Sequence, residues 1–265
     1  MTANEKLLRL VEVLDQHAEL AIAVSGGVDS MVLAHATHAH ARTAMHAFHA
    51  VSPAVPGLAT ARVEAHARRH GWSLQLIDAG ELADPAYRSN PVDRCFYCKS
   101  NLYTRIRATT DLRIASGTNV DDLSDYRPGL AAAERSDVLH PFVEAALGKA
   151  DIYALAHRLG LTDLAALPAS PCLASRIETG IGVDAAALRF IEDVETVLGE
   201  LLPAAGAIRC RITAGGVYVE CDQLPLGADR ERVEQQVARL CTDVRRRFAG
   251  LRPYRRGGAF LKVAG

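Results

Sequence analysis

The string Ser-Gly-Gly-Val-Asp-Ser at residues 25–30 has the composition and spacing of a ligand-binding loop. Paired glycines allow the backbone to approach a ligand closely, and the amide groups at the start of a helix attract anions. A polyphosphate fits such a loop. The string lacks Gly-Lys-Ser/Thr and GxGxxG, which disfavours γ-phosphate-transferring ATPases and dinucleotide-binding folds. The alternative is an ordinary tight turn capped by Ser25 and Asp29.

Three cysteines form a second candidate set. Cys95 and Cys98 are three residues apart at the start of a predicted helix, so both sulfurs lie on one face, and Cys172 lies in a proline-containing loop. Basic neighbours favour the reactive thiolate form, and these are Arg94, Lys99 and Arg176. A structural zinc site requires a fourth ligand, which stands at no recognisable spacing. Three cysteines suit a [4Fe–4S] cluster with one open iron.

Cysteines can also be structural residues that bind no ligand. Cys95 and Cys98 can equally be packed on a helix without a ligand. Cys210, Cys221 and Cys241 lie among apolar neighbours and are expected to be small core residues.

Arginines in one further region and histidines in another are candidate ligands. Arg209 and Arg211 are two apart on a predicted strand, so both side chains leave the same face and can form a phosphate clamp. The alternative is a solvated strand face. Five histidines crowd one stretch, without the carboxylate pattern of a metal site, and we expect them to be solvated: His35, His38, His40, His46 and His49.

The elements that position these residues alternate between strand and helix. Apolar runs predict strands at 20–24, 45–51, 73–77 and 112–115, and helical periodicity predicts helices at 31–41, 59–70 and 95–107. This alternation predicts an α/β fold with a doubly wound parallel sheet. After Arg176 the pattern changes to a helix at 184–201, two strands at 208–212 and 216–221, a helix at 231–248 and a final strand at 259–263. We therefore expect a domain at 1–177 and a smaller α+β domain at 178–265.

Overall composition limits the classes of protein. Lys and Arg total 30 against 31 Asp and Glu, giving a net charge of −1 and arguing against an overall nucleic-acid-binding field. The first residues lack a secretory signal pattern, and no apolar run is long enough to span a membrane. We expect a cytoplasmic protein with no membrane or nucleic-acid partner, forming a homo-oligomer.

Several long strings together resemble the LarE family of ATP-dependent sulfur transferases within the adenine nucleotide α-hydrolase, or PP-loop, superfamily. They are SGGVDS at 25, AVSPAVP at 50, DPAYRSNPVDRCFYCKSNLY at 84, SGTNVDDLSDYRPGLAAAE at 116 and LPASPCLASRI at 167. The resemblance implies that ATP adenylates a substrate carboxylate, releasing pyrophosphate and then AMP. Sulfur insertion would give a thiocarboxylate, as in synthesis of the nickel-pincer nucleotide cofactor.

The resemblance also implies residue roles. Loop amides of Gly26, Gly27 and Val28, with the Ser25 and Ser30 hydroxyls, would hold pyrophosphate, and Asp29 would orient the turn or hold Mg²⁺. Gly117 and Asn119 follow a predicted strand and are expected near ATP. Asp121, Asp122 and Asp125 either line the substrate pocket or act as caps, and Arg127 can pair with one of them. The arginine pair matches family arginines close to phosphate, and Arg176 is a further candidate.

Two sulfur chemistries follow from the resemblance. Cys172 aligns with the donor cysteine of members that sacrifice its sulfur and retain dehydroalanine. Cys95, Cys98 and Cys172 match members in which the three thiols hold a [4Fe–4S] cluster and an exogenous sulfide is delivered. Having all three, this chain resembles the second kind. The family pattern is broken at Glu178-Thr179-Gly180, at 212–214 and at Tyr218.

Two other functions share the predicted loop. An ATP-dependent ligase or amidotransferase would let ammonia attack the same acyl-adenylate, but it has no need for the three cysteines, and the chain has no room for a glutaminase domain. A nucleotide-binding regulatory protein would bind ATP without releasing pyrophosphate.

Overall fold

The computed structural model describes residues 1–124, 126–167 and 171–254. Three features of the sequence analysis lie outside these residues: Asp125, the final strand expected at 259–263, and most of the loop that precedes Cys172. None of the described helices has the length and apolar composition needed to cross a membrane.

Helices and strands alternate through the first two thirds of the chain. The helices are α1 (Ala3–Leu14), α2 (Val28–His40), α3 (Gly57–His70), α4 (Pro85–Arg88), α5 (Arg94–Arg107), α6 (Pro128–Arg135), α7 (Pro141–Glu144), α8 (Lys149–Arg158), α9 (Thr162–Ala165), α10 (Ala185–Leu201) and α11 (Gly227–Asp243). The strands are β1 (Glu19–Ala23), β2 (Ala44–Ala50), β3 (Ser73–Ile77), β4 (Ile114–Ser116), β5 (Ile208–Thr213), β6 (Gly216–Cys221) and β7 (Phe248–Pro253).

The first compact unit comprises Met1–Glu81 and the chain from Cys95 to residue 170. Its sheet is parallel throughout, with the strand order β3-β2-β1-β4. Side chains alternate along β1: Leu20 and Ile22 join the core formed with α1, α2 and α8, whereas Ala21 and Ala23 join the core formed with α5 and α6. Helices therefore cover both faces, and the predicted α/β class is confirmed.

The carboxyl ends of two adjacent strands place the candidate loops at one edge of this sheet. The strand β1 leads into residues 25–30, and its neighbour β4 leads into residues 117–119. Since the strands are parallel, both loops leave the sheet at the same edge, where ligands bind in open α/β sheets.

The second unit comprises residues 82–94 and the chain from Pro171 onward. Its sheet has the order β5-β6-β7, with β5 antiparallel and β7 parallel to β6, and α10 packs against β5. Residues 82–94 belong here because Asn90, which is buried with φ 55°, donates from Nδ2 to the carbonyls of Glu178 (2.9 Å) and Ile181 (2.8 Å). The sequence analysis placed one boundary, between residues 177 and 178, so residues 82–94 stood in its first domain.

The last helix and strand differ from the pattern predicted at 231–248. The helix α11 ends at Asp243, where the Arg246 amide donates to the Cys241 carbonyl (2.8 Å) and Arg245 adopts φ 55°. The left-handed residue turns the chain, and the following residues extend as β7. Three arginines after an amphipathic helix look like its continuation in sequence, because arginine is itself a good helix former.

Candidate functional site

The loop at residues 25–30 is closed by its own two serines. The Ser25 amide donates to Ser30 Oγ (3.0 Å), the two hydroxyl oxygens are 3.1 Å apart, and Ser30 Oγ donates to the Gly27 carbonyl (3.1 Å). These bonds hold the backbone between β1 and α2 in a compact turn. Both hydroxyls thus bond within the loop, and Ser25 is exposed whereas Ser30 is buried.

Glycine is required at two positions because neighbouring backbone approaches closely. Gly26 has φ 79°, and an added Cβ would lie 2.7 Å from the Ala59 carbonyl oxygen. A Cβ on Gly117 would lie 2.7 Å from the Ser30 nitrogen, so residue 117 packs directly against the first turn of α2. The loop after β4 therefore forms one wall beside the start of α2.

The start of α2 has the properties of an anion site. Its N-cap residue is Gly27, and no side chain of the described residues caps it, whereas Thr2 caps α1 with both bonds of a capping box. The first amides of a helix have no partner within the helix and carry the positive end of its dipole. A phosphate group at this position would accept those amide hydrogen bonds.

Asp29 lies in this first turn and is paired with a lysine that the sequence analysis missed. Lys149 Nζ lies 2.5 Å from Asp29 Oδ2, and Asn119 Nδ2 donates to Asp29 Oδ1 (3.4 Å). Lys149 is the first residue of α8, and its amide donates to Asp121 Oδ2 (2.6 Å). The site therefore holds a carboxylate and an ammonium group side by side at the helix start.

The acidic residues after Asn119 tie the loop to its surroundings. The Asn119 amide donates to Asp122 Oδ2 (3.1 Å), the Asp121 amide donates to Asn119 Oδ1 (3.0 Å), and Asp122 forms an ion pair with Arg127 (2.8 Å). The predicted pairing with Arg127 is confirmed. Asp121 and Asp122 have the contacts of capping groups, and Asn119, which is buried, is held rigidly beside Asp29.

A buried histidine supports the strand that enters the loop. His49 Nδ1 donates to the Val24 carbonyl (2.8 Å), and its Nε2 lies 2.9 Å from Thr60 Oγ1. Burial lowers the pKa of His49, so Nε2 accepts from the threonine hydroxyl in the neutral ring. In the sequence His49 was one of five crowded histidines, and nothing in that crowding indicated this role.

The other crowded histidines divide between β2 and α2, where the rings of His35 and His40 lie 6.5 Å apart. His46 pairs with Glu19 (3.0 Å), whereas His35 is buried against His70 from α3, with ring centroids 4.6 Å apart. His66, also on α3, bonds Asp163 (2.7 Å). The expectation that these rings are solvated is wrong for His35 and His49, because α2 and β2 lie inside the first unit.

The cysteines divide between the two units. Cys95 and Cys98 lie half-buried in the first turn of α5, and Cys172 is half-buried at the N-cap of a short 3-10 helix, Leu173–Arg176. None of the six cysteines forms a disulfide. In the part of the chain that the structure describes, no three His, Cys, Asp or Glu side chains are already arranged as a metal centre.

The three remaining cysteines have the burial expected of core residues. Burial raises the pKa of the Cys210 and Cys221 thiols and raises that of Cys241 to about 11. These thiols therefore stay protonated and unreactive at neutral pH.

Arg176 braces the turn that carries Cys172. Its guanidinium forms two bonds with Glu195 (3.0 Å each) and donates to the carbonyls of Pro171 (2.6 Å) and Cys172 (3.2 Å). Glu195 also accepts from the Cys210 amide (2.9 Å). The Cys172 turn is thus fixed to both α10 and β5.

The two arginines of β5 have different surroundings. Arg211 is buried, bonds Glu220 (2.8 Å) and donates to the Ser175 carbonyl (2.7 Å). Arg209 is half-buried, with its guanidinium 5.7 Å from the Tyr254 ring centroid. Its pKa is lowered by burial and then by the charge of Arg176. The two side chains share a face of the strand as predicted, but Arg211 is already neutralised by a carboxylate.

The fold and this site define an α/β protein in which the start of α2, without a side-chain cap among the described residues, lies at the carboxyl edge of a parallel sheet. The chain is 32% identical over 202 residues to the uncharacterized protein slr1717 of Synechocystis, a match that covers 75% of each chain. It therefore belongs to the family of that cyanobacterial protein. No family model matches the chain.

Two further relatives extend the comparison. The uncharacterized protein MJ0830 of Methanocaldococcus jannaschii is 27% identical over 240 residues, which cover 88% of this chain and 91% of that protein. The pyridinium-3,5-bisthiocarboxylic acid mononucleotide synthase of Lactiplantibacillus plantarum is 29% identical over 167 residues, which cover 61% of this chain and 60% of the synthase.

Proposed function

We propose that this protein is an ATP-dependent sulfur transferase of the LarE type, which adenylates a carboxylate of a nucleotide and replaces a carboxylate oxygen by sulfur. The observation that carries the ATP part is the uncapped start of α2, walled by Gly117 and flanked by the Asp29–Lys149 pair. The similarity to the bisthiocarboxylic acid mononucleotide synthase supports the sulfur part and the class of acceptor.

The first step assigns the polar groups at the edge of the parallel sheet. The amides of α2 would hold the β- and γ-phosphates of ATP, and Lys149 would add a positive charge beside them. Asp29 is an oxygen donor suited to Mg²⁺, and Asn119 orients it. An acceptor carboxylate oxygen attacks the α-phosphorus, the bond from that phosphorus to the bridging oxygen breaks, and pyrophosphate leaves from the loop.

The second step consumes the acyl-adenylate. Hydrosulfide attacks the acyl carbon and loses its proton, the carbon–oxygen bond to AMP breaks, and a thiocarboxylate remains. Cys95, Cys98 and Cys172 supply the sulfur donors that a [4Fe–4S] cluster requires, and such a cluster would provide an open iron for the sulfide. The alternative is donation of the Cys172 sulfur itself, which would leave dehydroalanine.

The three arginines of the second unit divide between support and binding in this proposal. Arg176 and Arg211 are neutralised by Glu195 and Glu220, and both hold the backbone of the Cys172 turn. They would act on phosphate mainly through the position of that turn. For Arg209, the expectation of a phosphate contact rests on the resemblance to the family arginines that lie close to phosphate.

Pyrophosphate release tests the first step. We expect Asp29→Asn to lower ATP- and acceptor-dependent pyrophosphate formation about 100-fold, because it removes a charge placed at the phosphates. Lys149→Met should raise the KM for ATP about tenfold. The matched control is Asp137→Asn, at an exposed carboxylate in a surface ion pair. Unchanged pyrophosphate formation in both site variants would refute the assigned ATP site.

Anaerobic reconstitution tests the second step. We expect about four iron and four sulfide per chain, with iron lost in Cys95→Ser, Cys98→Ser and Cys172→Ser but retained in the control Cys241→Ala. Absence of iron together with a turnover-dependent loss of hydrogen sulfide from the mass of Cys172 would select sacrificial donation. Formation of an amide from ammonia, without a thiocarboxylate from sulfide, would refute sulfur transfer.

A further inference from the structure

A basic cleft in the second unit has no part in the site described above. It has a volume of about 460 Å³ and lies between the hairpin turn joining β5 to β6 and the residues that enter β7. Arg245, Arg246 and Arg247 line one side, and Ile212–Val217 line the other. We call it the arginine cleft.

The charges of the arginine cleft are not neutralised by carboxylates of the residues that the structure describes. No carboxylate in the described part of the chain forms an ion pair with Arg245, Arg246 or Arg247, in contrast to Arg176 and Arg211. Arg245 and Arg247 are exposed, so an anion from solvent can reach both guanidinium groups. Their planar donors match phosphate and carboxylate oxygens.

Contacts to neighbouring elements restrict two of these guanidinium groups. Arg247 Nη2 donates to the Gly215 carbonyl, and the Arg246 guanidinium lies 5.9 Å from the ring centroid of Phe190 on α10. Arginines that follow a helix are also favoured by the helix dipole. The dipole does not account for contacts that direct these groups to the hairpin and to α10.

The opposite side of the cleft is mostly backbone. Ala214 and Gly215 carry little or no side chain, and Gly216 has φ 115°, with a built Cβ only 2.7 Å from the Arg247 carbonyl oxygen. The hairpin turn therefore contacts the residues that enter β7. Because its side chains are small, a small ligand can reach its main chain. The cleft is open to solvent, and its volume accommodates a phosphate group together with part of a nucleotide.

The same hairpin is bonded to the turn that carries Cys172. Ile212, in the wall of the cleft, forms a bridge with Ile177, the residue that ends the short 3-10 helix after Cys172. Arg211, beside it, donates to the Ser175 carbonyl. A ligand in the arginine cleft would therefore be bound by structure that is continuous with the Cys172 turn.

We propose that the arginine cleft binds the phosphate of the mononucleotide acceptor, separately from the ATP phosphates at α2. The identity of the acceptor rests on the proposed function, whereas phosphate binding by these arginines does not. The carboxylated base of the acceptor would then extend from an anchored phosphate toward the groups that act on it.

Two binding measurements on the full chain test this inference. Nicotinate mononucleotide, a pyridinium carboxylate mononucleotide, is compared with nicotinate riboside, which lacks the phosphate. We expect the Arg245→Gln/Arg247→Gln variant to weaken mononucleotide binding tenfold or more and to leave riboside binding unchanged. The control variant is Arg230→Gln/Arg232→Gln, at exposed arginines of α11 that pair within the helix. Equal mononucleotide affinity in wild type and cleft variant would overturn the proposal.

Inorganic phosphate separates failure of this proposal from failure of the proposed function. Titration should shift the Nε–H NMR signals of Arg245 and Arg247, whatever the acceptor is. Shifts with phosphate but no binding of the mononucleotide would keep the cleft and reject the acceptor class. No shift with either probe, or shifts with a single-stranded RNA alone, would overturn phosphate binding in the cleft. ATP binding in the absence of acceptor, which does not use these arginines, tests the α2 site independently.

Discussion

Acidification should destabilise the first unit through His35. Burial, followed by the charges of His70 and its neighbours, lowers the pKa of His35 from 6.5 to about 4. The buried ring nitrogens His35 Nδ1, His66 Nδ1 and His70 Nε2 have no hydrogen-bond partner among the described residues. A proton added to His35 would therefore be neither solvated nor paired, and it would face a second histidine at 4.6 Å.

The size and sign of the effect follow from proton linkage. Between pH 6.5 and pH 4 the unfolded chain binds a proton at His35 that the folded chain does not, so stability falls as the pH falls. With a pKa of 6.5 unfolded and about 4 folded, the free energy of unfolding drops by about 2 kcal/mol from pH 8 to pH 5 through this residue alone. Above pH 6.5 the contribution is constant.

Trp72 provides the assay because it is the single tryptophan and is buried beside this cluster. Its ring centroid lies 6.0 Å from His66 and 6.3 Å from His70. Urea unfolding followed by its fluorescence gives the free energy of unfolding at each pH. In His35→Leu, the loss between pH 8 and pH 5 should be smaller than in wild type by about 2 kcal/mol.

The control is His157→Gln, at an exposed position of α8, in which the wild-type pH dependence should persist. Parallel curves for wild type and His35→Leu across this pH range would show that His35 takes up its proton in the folded state. The burial argument would then be wrong.

Two further predictions concern packing and a buried charge. Gly117→Ala should weaken ATP binding tenfold or more, because the added Cβ would lie 2.7 Å from the first turn of α2. The control Gly199→Ala, on α10 with open space around it, should bind ATP normally. Isothermal titration measures the affinity of both variants for ATP. Glu195→Gln should lower the free energy of unfolding by about 3 kcal/mol, because it leaves the buried charge of Arg176 unpaired. Glu234→Gln, in an exposed pair within a helix, should change the free energy of unfolding by under about 0.5 kcal/mol. Equal stability of those two glutamate variants would contradict the role assigned to the buried pair.

The sequence predicted the parallel sheet and the place of the 25–30 loop at its carboxyl edge because those depend on local patterns. The strands β1, β2 and β3 begin and end within about one residue of the predicted apolar runs, and the glycines of 25–30 stand where the turn requires them. The strand β7 was missed because the left-handed Arg245 interrupts a stretch of good helix formers.

Pairings between distant residues account for most of what was not predicted. Lys149 lies 120 residues from Asp29, and only the packing of α8 against α2 brings them together. The partners of Arg176 and Arg211, which are Glu195 and Glu220, are identifiable only in the folded chain. In the same way, His49 lies apart on β2, whereas His35 and His40 remain close and His70 joins them from another helix.

The interleaved path of the chain limits how this protein can be made. Asn90 leaves the ribosome long before Glu178, its partner 88 residues later, so the second unit stays incomplete until most of the polypeptide has been synthesised. A recombinant fragment starting at Pro171 would lack the amide that bonds the carbonyls of Glu178 and Ile181. Genetic exchange of this unit between relatives would therefore require two separate segments of coding sequence to move together.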